Sequence, residues 1–189
     1  DTSQVPYLLS DMAADAVGLL DHLDIESAHL VGASMGGMIA QQVAIDFPNR
    51  VRSLTSIMST TGETGVGDPD PELLTVLIEP RPEGREEAIA AGVELARAIS
   101  CAEHFDEERS RALSELQYDR GSNPDGVGRQ LLAVLGSGSL ADGLSRLDLP
   151  ALVIHGRQDR LVNFSGGQRT AELIAGADFI AIDDMAHDM

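Results

Sequence analysis

Three side chains in this sequence have the types that together activate a hydroxyl group for nucleophilic attack: Ser34, Asp159 and His187. A serine hydroxyl is a weak nucleophile and needs an adjacent base, which a third group orients. In this scheme His187 takes the proton from Ser34 and returns it to the leaving group. Asp159 fixes the tautomer of His187 and stabilises its imidazolium form. We therefore predict covalent catalysis by a serine nucleophile.

The sequence around the serine is Gly32-Ala33-Ser34-Met35-Gly36, which fits the pattern G-x-S-x-G. A short apolar run over 29–31 precedes it, and a helix-periodic segment over 35–47 follows it. A strand, an abrupt turn and a helix in this order hold a serine hydroxyl above the end of a sheet. We expect a Cβ atom at either glycine of the pattern to clash, because strand and helix crowd the turn.

The residue after the serine, Met35, has a predicted role of its own. It opens the predicted helix, and the first N–H groups of a helix have no partner within that helix. The positive end of the helix dipole also points to the place where an oxyanion would form. We therefore expect the backbone N–H of Met35 to donate one hydrogen bond of an oxyanion hole.

Other residues compete for the roles of acid and base. Asp183 and Asp184 are rivals to Asp159 as the acid. His155 directly follows a predicted strand and is a rival to His187 as the base. We favour a structural role for His155, because the predicted order of elements leaves His187 in the better placed loop.

Metal binding is an alternative use of some of the same side chains. Asp159, His187 and Asp188 are available as ligands, but their spacing matches no recognised metal site. The single cysteine, Cys101, excludes an internal disulfide and a cysteine-based zinc site. We expect Cys101 to be a small residue within a helix, and we predict no metal site.

Composition narrows the class of partner. The chain has 189 residues, of which 43% are hydrophobic and 23% are charged, as is typical of a soluble globular protein. A formal net charge of −18 would repel phosphate backbones, and aromatic residues at 3% are too few for a base-stacking surface. No apolar run reaches the ~18 residues that a membrane span needs. We therefore expect a small-molecule substrate, no nucleic-acid or membrane partner, and a cytoplasmic location.

Buried strands alternate with helices along much of the chain. Besides the run over 29–31, the predicted strands lie at 51–58, 150–154 and 178–182. The first helix is expected to begin at Ser10 as its N-cap. This alternation predicts a parallel α/β sheet. Ser34, Asp159 and His187 each follow a predicted strand, at the carboxyl edge where sites form in such sheets.

The stretch after residue 60 is predicted to be helical and to lack strands. Four helical segments follow one another without a convincing strand, at about 71–78, 84–100, 106–119 and 124–136. The acidic residues of this stretch are expected to form solvated helix faces. We divide the chain into an α/β core in two parts, 1–60 and 141–189, and a helical insertion over 61–140.

Together these features resemble the α/β-hydrolase superfamily, and the chain looks most similar to bacterial esterases of the aclacinomycin-methylesterase-like type. The stretches that carry the resemblance are 8–24, 29–37, 50–62, 150–159 and 184–188. The resemblance implies a partial, mostly parallel sheet with helices on both faces, and 61–140 as a helical cap. It also implies hydrolysis of carboxylic esters through an acyl-enzyme, without a cofactor. Lactonases and cofactor-free perhydrolases (haloperoxidase-like) share the motif, and a non-catalytic ligand-binding homologue is the alternative from another class.

The sequence departs from that family at both ends. Family members carry several strands before the first helix seen here, a second oxyanion donor on an early loop, and a final helix after the histidine. The chain begins at Asp1 and stops at Met189, so we expect it to be cut at both ends and to be a weak or inactive catalyst alone. The strand at 29–31 is expected to have an unpaired edge, which a missing segment or a second copy would cover. An assembly of identical copies is left open.

Overall fold

Short apolar segments form the strands of this protein, as is typical of a sheet covered by helices. The computed structural model describes residues 5–78, 82–121 and 123–188. Within these ranges the strands are β1 (Ala28–Ala33), β2 (Val51–Ile57), β3 (Ala151–Gly156) and β4 (Asp178–Ile182). They pair in parallel, in the order β1-β2-β3-β4. The parallel α/β architecture predicted from the sequence is confirmed.

The helices are named in chain order over the same described ranges. They are α1 (Leu9–His22), α2 (Met35–Asp46), α3 (Pro71–Ile78), α4 (Arg85–Ile99), α5 (Glu107–Arg120), α6 (Pro124–Ser137), α7 (Ala141–Leu144) and α8 (Ser165–Leu173). A 3₁₀ turn, Pro48–Arg50, connects α2 to β2. Helices α3 to α6 lie where the four helical segments were predicted, and the described part of 61–140 contains no strand. The division into core and cap stays a prediction.

The hydrophobic core lies where α1 and α2 pack beside β2, β3 and the segment around α7. Helix α2 contacts both β1 and β2, and α1 contacts α2. Burial of apolar surface from all these elements is the main force that holds them together. The buried core cluster consists of Ala13, Val17, Ala40, Val43, Ala44, Val51, Leu54, Leu140, Leu144, Leu147, Ala151 and Ile174.

Two local predictions were wrong. Helix α1 begins at Leu9, and the carboxylate of Asp11 accepts a hydrogen bond from the Leu8 N–H at 2.7 Å. Ser10 is therefore inside the helix, because the acidic side chain one residue later caps its start. Cys101 lies in a turn after α4 has ended, and it is 2% exposed.

The acidic residues of the helical stretch are exposed, as the sequence predicts: Glu86, Glu87, Glu103, Asp106, Glu107 and Glu108.

Strand register brings the carboxyl ends of the strands to one edge of the sheet. Ala33 pairs with Ile57, Ile57 with Ile154, and Ile154 with Ile180. The residues that follow β1 and β2 therefore begin their loops side by side, next to the loops that follow β3 and β4. No helix in the described ranges is both long enough and apolar enough to cross a bilayer.

Candidate active site

The turn between β1 and α2 places Ser34 in a strained backbone conformation. Its φ of 54° and ψ of −124° lie in a region that non-glycine residues rarely adopt. Two hydrogen bonds hold the residue there: the Ser34 N–H donates to the Ile57 carbonyl at 2.9 Å, and the Gly37 N–H donates to the Ser34 carbonyl at 2.9 Å. Strained residues held by surrounding structure occur frequently at functional sites.

The glycines of this turn have unequal roles. A Cβ atom on Gly32 would overlap the carbonyl oxygen of Gly36, as the sequence predicts. The same prediction is wrong for Gly36, because a Cβ there meets no described atom within 4 Å beyond its own helix backbone. The tight position is instead Gly37, where a Cβ would lie 2.6 Å from the Cβ of Ser59. The turn pattern alone does not indicate this contact, because Ser59 comes from the loop after β2.

A continuous row of hydrogen bonds joins the three predicted side chains. His187 Nε2 lies 2.9 Å from Ser34 Oγ, and His187 Nδ1 lies 2.8 Å from Asp159 Oδ2. The side chain of His187 is 6% exposed and that of Asp159 is fully buried. The structure therefore brings together residues from the ends of β1, β3 and β4.

The buried carboxylate of Asp159 is held on both oxygens. Its Oδ1 accepts hydrogen bonds from the N–H groups of Leu161, at 2.9 Å, and Val162, at 2.8 Å. Burial raises the pKa of Asp159, but hydrogen bonds from His155 and His187 and the Val162 N–H outweigh it, so the net pKa is lowered. The carboxylate is therefore ionised at neutral pH and faces His187 as an acceptor.

The rival histidine lies behind the acid. His155 is fully buried, with Nε2 at 2.8 Å from the Val162 carbonyl oxygen and at 3.4 Å from Asp159 Oδ2. Its ring packs edge-on against Phe164, and among the described residues its Nδ1 has no hydrogen-bond partner. These contacts tie His155 to the loop that carries Asp159, while Ser34 hydrogen bonds to His187.

The rival acids have other partners. Asp183 Oδ1 accepts a hydrogen bond from Arg157 Nε at 2.8 Å, and the Asp184 side chain lies 3.1 Å from His104 Nε2. Both carboxylates are exposed, at 89% and 63% of their side-chain surface. Neither is the carboxylate that contacts His187 Nδ1. Across the described ranges, no group of three or more His, Cys, Asp or Glu side chains has the arrangement of a metal site.

The loop that carries His187 has one attachment that the sequence did not predict. The backbone N–H of His187 donates to the carbonyl oxygen of Ile99 at 2.9 Å. Ile99 is the last residue of α4, in the helical stretch between the two parts of the predicted core. No local pattern indicates this contact, because it depends on how α4 docks against the sheet edge.

Comparison with known proteins gives the family of this fold and site. A family model described as the alpha/beta hydrolase fold matches residues 6–189. The chain therefore belongs to the alpha/beta hydrolase fold family, and the resemblance predicted from the sequence is confirmed.

Individual relatives are hydrolases of more than one kind. The chain is 26% identical over 171 residues to 3-oxoadipate enol-lactonase 2 of Acinetobacter baylyi, covering 89% of this chain and 60% of that protein. It is 29% identical over 203 residues to rhodomycin D methylesterase DnrP of Streptomyces peucetius, covering 96% and 68%. The crystal structure of a hydrolase from Pseudomonas aeruginosa PA01 matches with a TM-score of 0.70 at 26% identity, covering 96% and 66%. The chain thus spans roughly two thirds of the length of these relatives.

Proposed function

We propose that this chain carries the catalytic centre of a serine hydrolase that cleaves carboxylic esters through an acyl-enzyme. The single observation that carries the proposal is the unbroken row from Ser34 Oγ through His187 to buried Asp159, with contacts of 2.9 and 2.8 Å. Similarity to a methylesterase and to an enol-lactonase supports the reaction class. Both names describe hydrolysis of an ester bond, in an open or a cyclic form.

The geometry assigns a step to each side chain. Ser34 Oγ attacks the ester carbonyl while His187 Nε2 takes its proton, and the Nδ1–H of His187 stays hydrogen bonded to Asp159. The protonated histidine then gives its proton to the leaving alcohol, which leaves the acyl group on Ser34. Water attacks the acyl-enzyme with His187 as the base, releasing the acid and restoring the serine.

The electrostatics support this cycle. A lowered pKa keeps Asp159 anionic, so that it compensates the positive charge that forms on His187 at each proton transfer. The two backbone N–H groups on Oδ1 hold the carboxylate without competing for the oxygen that faces the histidine. A fixed, ionised acceptor also selects the tautomer of His187 with its proton on Nδ1.

The negative charge on the reacting carbonyl oxygen needs a separate partner. The first helical hydrogen bonds of α2 are made by the N–H groups of Gly37 and Met38 to Ser34, so the Met35 N–H precedes them. An N–H at the start of a helix has a free hydrogen and lies at the positive end of the dipole. We assign Met35 N–H as one oxyanion donor, and helices α3 to α6 over 61–140 as the cap that shapes the acyl or alcohol pocket.

The experiment measures turnover of p-nitrophenyl acetate and butyrate, together with covalent labelling by a fluorophosphonate probe. We expect slow turnover and labelling, both abolished in Ser34→Ala. The matched control is Ser59→Ala, because the buried Ser59 hydroxyl has no hydrogen-bond partner among the described residues. A folded wild-type protein that neither turns over ester nor takes up the probe would favour a non-catalytic ligand-binding homologue.

A lactone is the second candidate substrate, favoured by the similarity to an enol-lactonase. A lactone is a cyclic ester, so the same three side chains perform the same steps and the leaving alcohol stays tethered to the acyl group. Parallel assays with a short-chain lactone and an open ester of equal acyl length separate the two. A perhydrolase would instead be recognised by its reaction with peroxide and acetate, which yields a product able to halogenate other molecules.

A further inference from the structure

The loop that carries His187 is fastened to the end of helix α4 by a carboxylate that the proposed mechanism does not use. We call residues 183–188 the histidine loop. The backbone N–H of Cys101, just beyond α4, donates to Asp188 Oδ2 at 3.1 Å. The N–H of His187 donates to the carbonyl of Ile99 at 2.9 Å. Two hydrogen bonds in opposite directions thus join the end of α4 to two successive residues of the loop.

The same carboxylate also braces the loop internally. Asp188 Oδ1 accepts the N–H of Ala186 at 3.1 Å, so the two oxygens of one side chain hold residues on different elements. Ala186 and Asp188 flank His187, and Ala186 and His187 are 3% and 8% exposed. Asp188 itself is half-buried, and hydrogen bonds to a charged acceptor are stronger than those between neutral groups.

A second set of contacts extends the attachment to the loop of the acid. The thiol of Cys101 lies 3.4 Å from Gln158 Oε1, and Gln158 Nε2 donates to the carbonyl of Asp183 at 3.1 Å. The backbone N–H of Gln158 donates to the carbonyl of Met185 at 3.1 Å. Gln158 directly precedes Asp159 in the chain. The end of α4, the acid loop and the histidine loop therefore form one hydrogen-bonded unit.

We propose that Asp188 is a positioning residue that fixes the imidazole of His187 in reach of both Ser34 and Asp159 by joining the histidine loop to the end of α4. This inference rests on the proposed serine hydrolase function. His187 must satisfy two contacts at once, 2.9 Å to Ser34 and 2.8 Å to Asp159, so a small rotation of its backbone breaks one of them. Asp188 restrains the backbone on both sides of that residue.

One consequence concerns the role of the helical stretch over 61–140. If its helix α4 only covered the substrate, its contacts would affect substrate binding. Because α4 holds the backbone of His187, its position also sets the geometry of proton transfer. Movement of α4 is therefore expected to change the rate of the chemical step.

The test compares two substitutions of Asp188 with a matched control in the same loop. Asp188→Ala removes both acceptors, whereas Asp188→Asn keeps one carbonyl oxygen. The control is Asp183→Ala, which removes an equal charge from the histidine loop but only a surface ion pair with Arg157. We expect Asp188→Ala to lower kcat about 10-fold with KM within about 2-fold, less than the 10²-fold that a full 1 Å misplacement costs. Asp188→Asn is expected to recover part of kcat, and Asp183→Ala to leave both constants unchanged.

A second measurement is independent of activity. Amide hydrogen exchange of His187 and Cys101 reports the two hydrogen bonds to α4, and Asp188→Ala is expected to accelerate both at least about tenfold. Unchanged exchange at both amides overturns the inference, as does a rise in KM with kcat unaltered. If the wild-type protein fails to react with the fluorophosphonate, the proposed function fails, and the exchange data still decide whether Asp188 holds the loop.

Discussion

Ser34 separates two regions of the molecule that differ in how firmly they are held. Towards β3 and β4, His187 and Asp159 are buried, and each nitrogen of His187 and each oxygen of Asp159 has a contact within the chain. Towards the outer edge of the sheet, β1 pairs only with β2 among the described strands, and Val31 is 70% exposed. We call the region of His187 and Asp159 the proton-transfer side, and the region at the unpaired edge of β1 the open side.

Under the proposed function, this difference separates the groups that transfer the proton from those that stabilise charge on the reacting oxygen. Groups that are already in place cost no reorganisation during the reaction, and the proton-transfer side meets that condition. For the charge on the reacting oxygen, the donor that we assign among the described residues is the N–H of Met35. Loss of one oxyanion donor typically costs about 10²–10³ in kcat, so under the proposed function the groups on both sides of Ser34 contribute to the rate.

The largest expected effect comes from replacing Asp159, the buried residue of the proton-transfer side. Asp159→Asn places an amide where the carboxylate accepts from His187 Nδ1, which favours the wrong tautomer. We expect kcat for p-nitrophenyl esters to fall about 10⁴-fold while the fold persists. The control is Asp183→Asn, because the Asp183 carboxylate lies in the histidine loop but is exposed. This variant should retain full activity. Equal losses in both variants would argue against Asp159 as the acid.

The next effect concerns the turn on which the two regions meet. Gly32→Ala forces a Cβ into the carbonyl oxygen of Gly36, and the turn must shift. We expect a loss of about 3 kcal/mol in the free energy of unfolding, since overpacking of this kind moves backbone. Gly36→Ala is the matched control, because its Cβ meets open space. It should be neutral or stabilising, by up to about 1 kcal/mol, as expected for alanine against glycine in a helix.

Chemical denaturation distinguishes these outcomes, with labelling by the fluorophosphonate as the functional readout. The comparison predicts that Gly32→Ala loses both stability and labelling, and that Gly36→Ala keeps both. If the two variants behave alike, the crowding of this turn is not set by the contact between Gly32 and Gly36.

A smaller effect follows from the lowered pKa of Asp159. Because its folded-state pKa lies below the unfolded value of about 3.9, the ionised carboxylate stabilises the fold fully above that pH. This contribution is lost as the pH falls through the folded-state value. We therefore expect the stability difference between wild type and Asp159→Asn to shrink as the pH is lowered from about 5 through the folded-state pKa of Asp159. Urea denaturation at each pH measures it, and a constant difference contradicts the assignment.

The sequence was sufficient for the parts of this site that depend on local pattern and on chemistry. The types of Ser34, Asp159 and His187, each placed after a strand, predicted their meeting, because parallel strands end at the same edge. Helices α3 to α6 lie where the four helical segments were predicted. Both successes use information that lies within a few residues of the feature predicted.

Other features of the structure depend on contacts between residues that are distant in sequence. The position of Cys101 beyond the end of α4 is accompanied by contacts with Asp188 and Gln158, which are distant in sequence. The attachment of His187 to Ile99 likewise depends on the docking of α4. Ser10 is a local failure with a local cause, since the carboxylate of Asp11 reaches the Leu8 N–H and starts the helix earlier.

The smallest expected effect tests the open side. An unpaired strand edge with an exposed apolar side chain is a template for pairing with another chain, so we expect reversible self-association at raised concentration. Val31→Lys should reduce it, as measured by sedimentation velocity, while changing the free energy of unfolding by less than about 0.5 kcal/mol. Val127→Lys, at a 45% exposed valine of α6, is the matched control. If only Val127→Lys reduces association, the contact between copies lies on the helical stretch, and the open side is not where this chain meets a second copy.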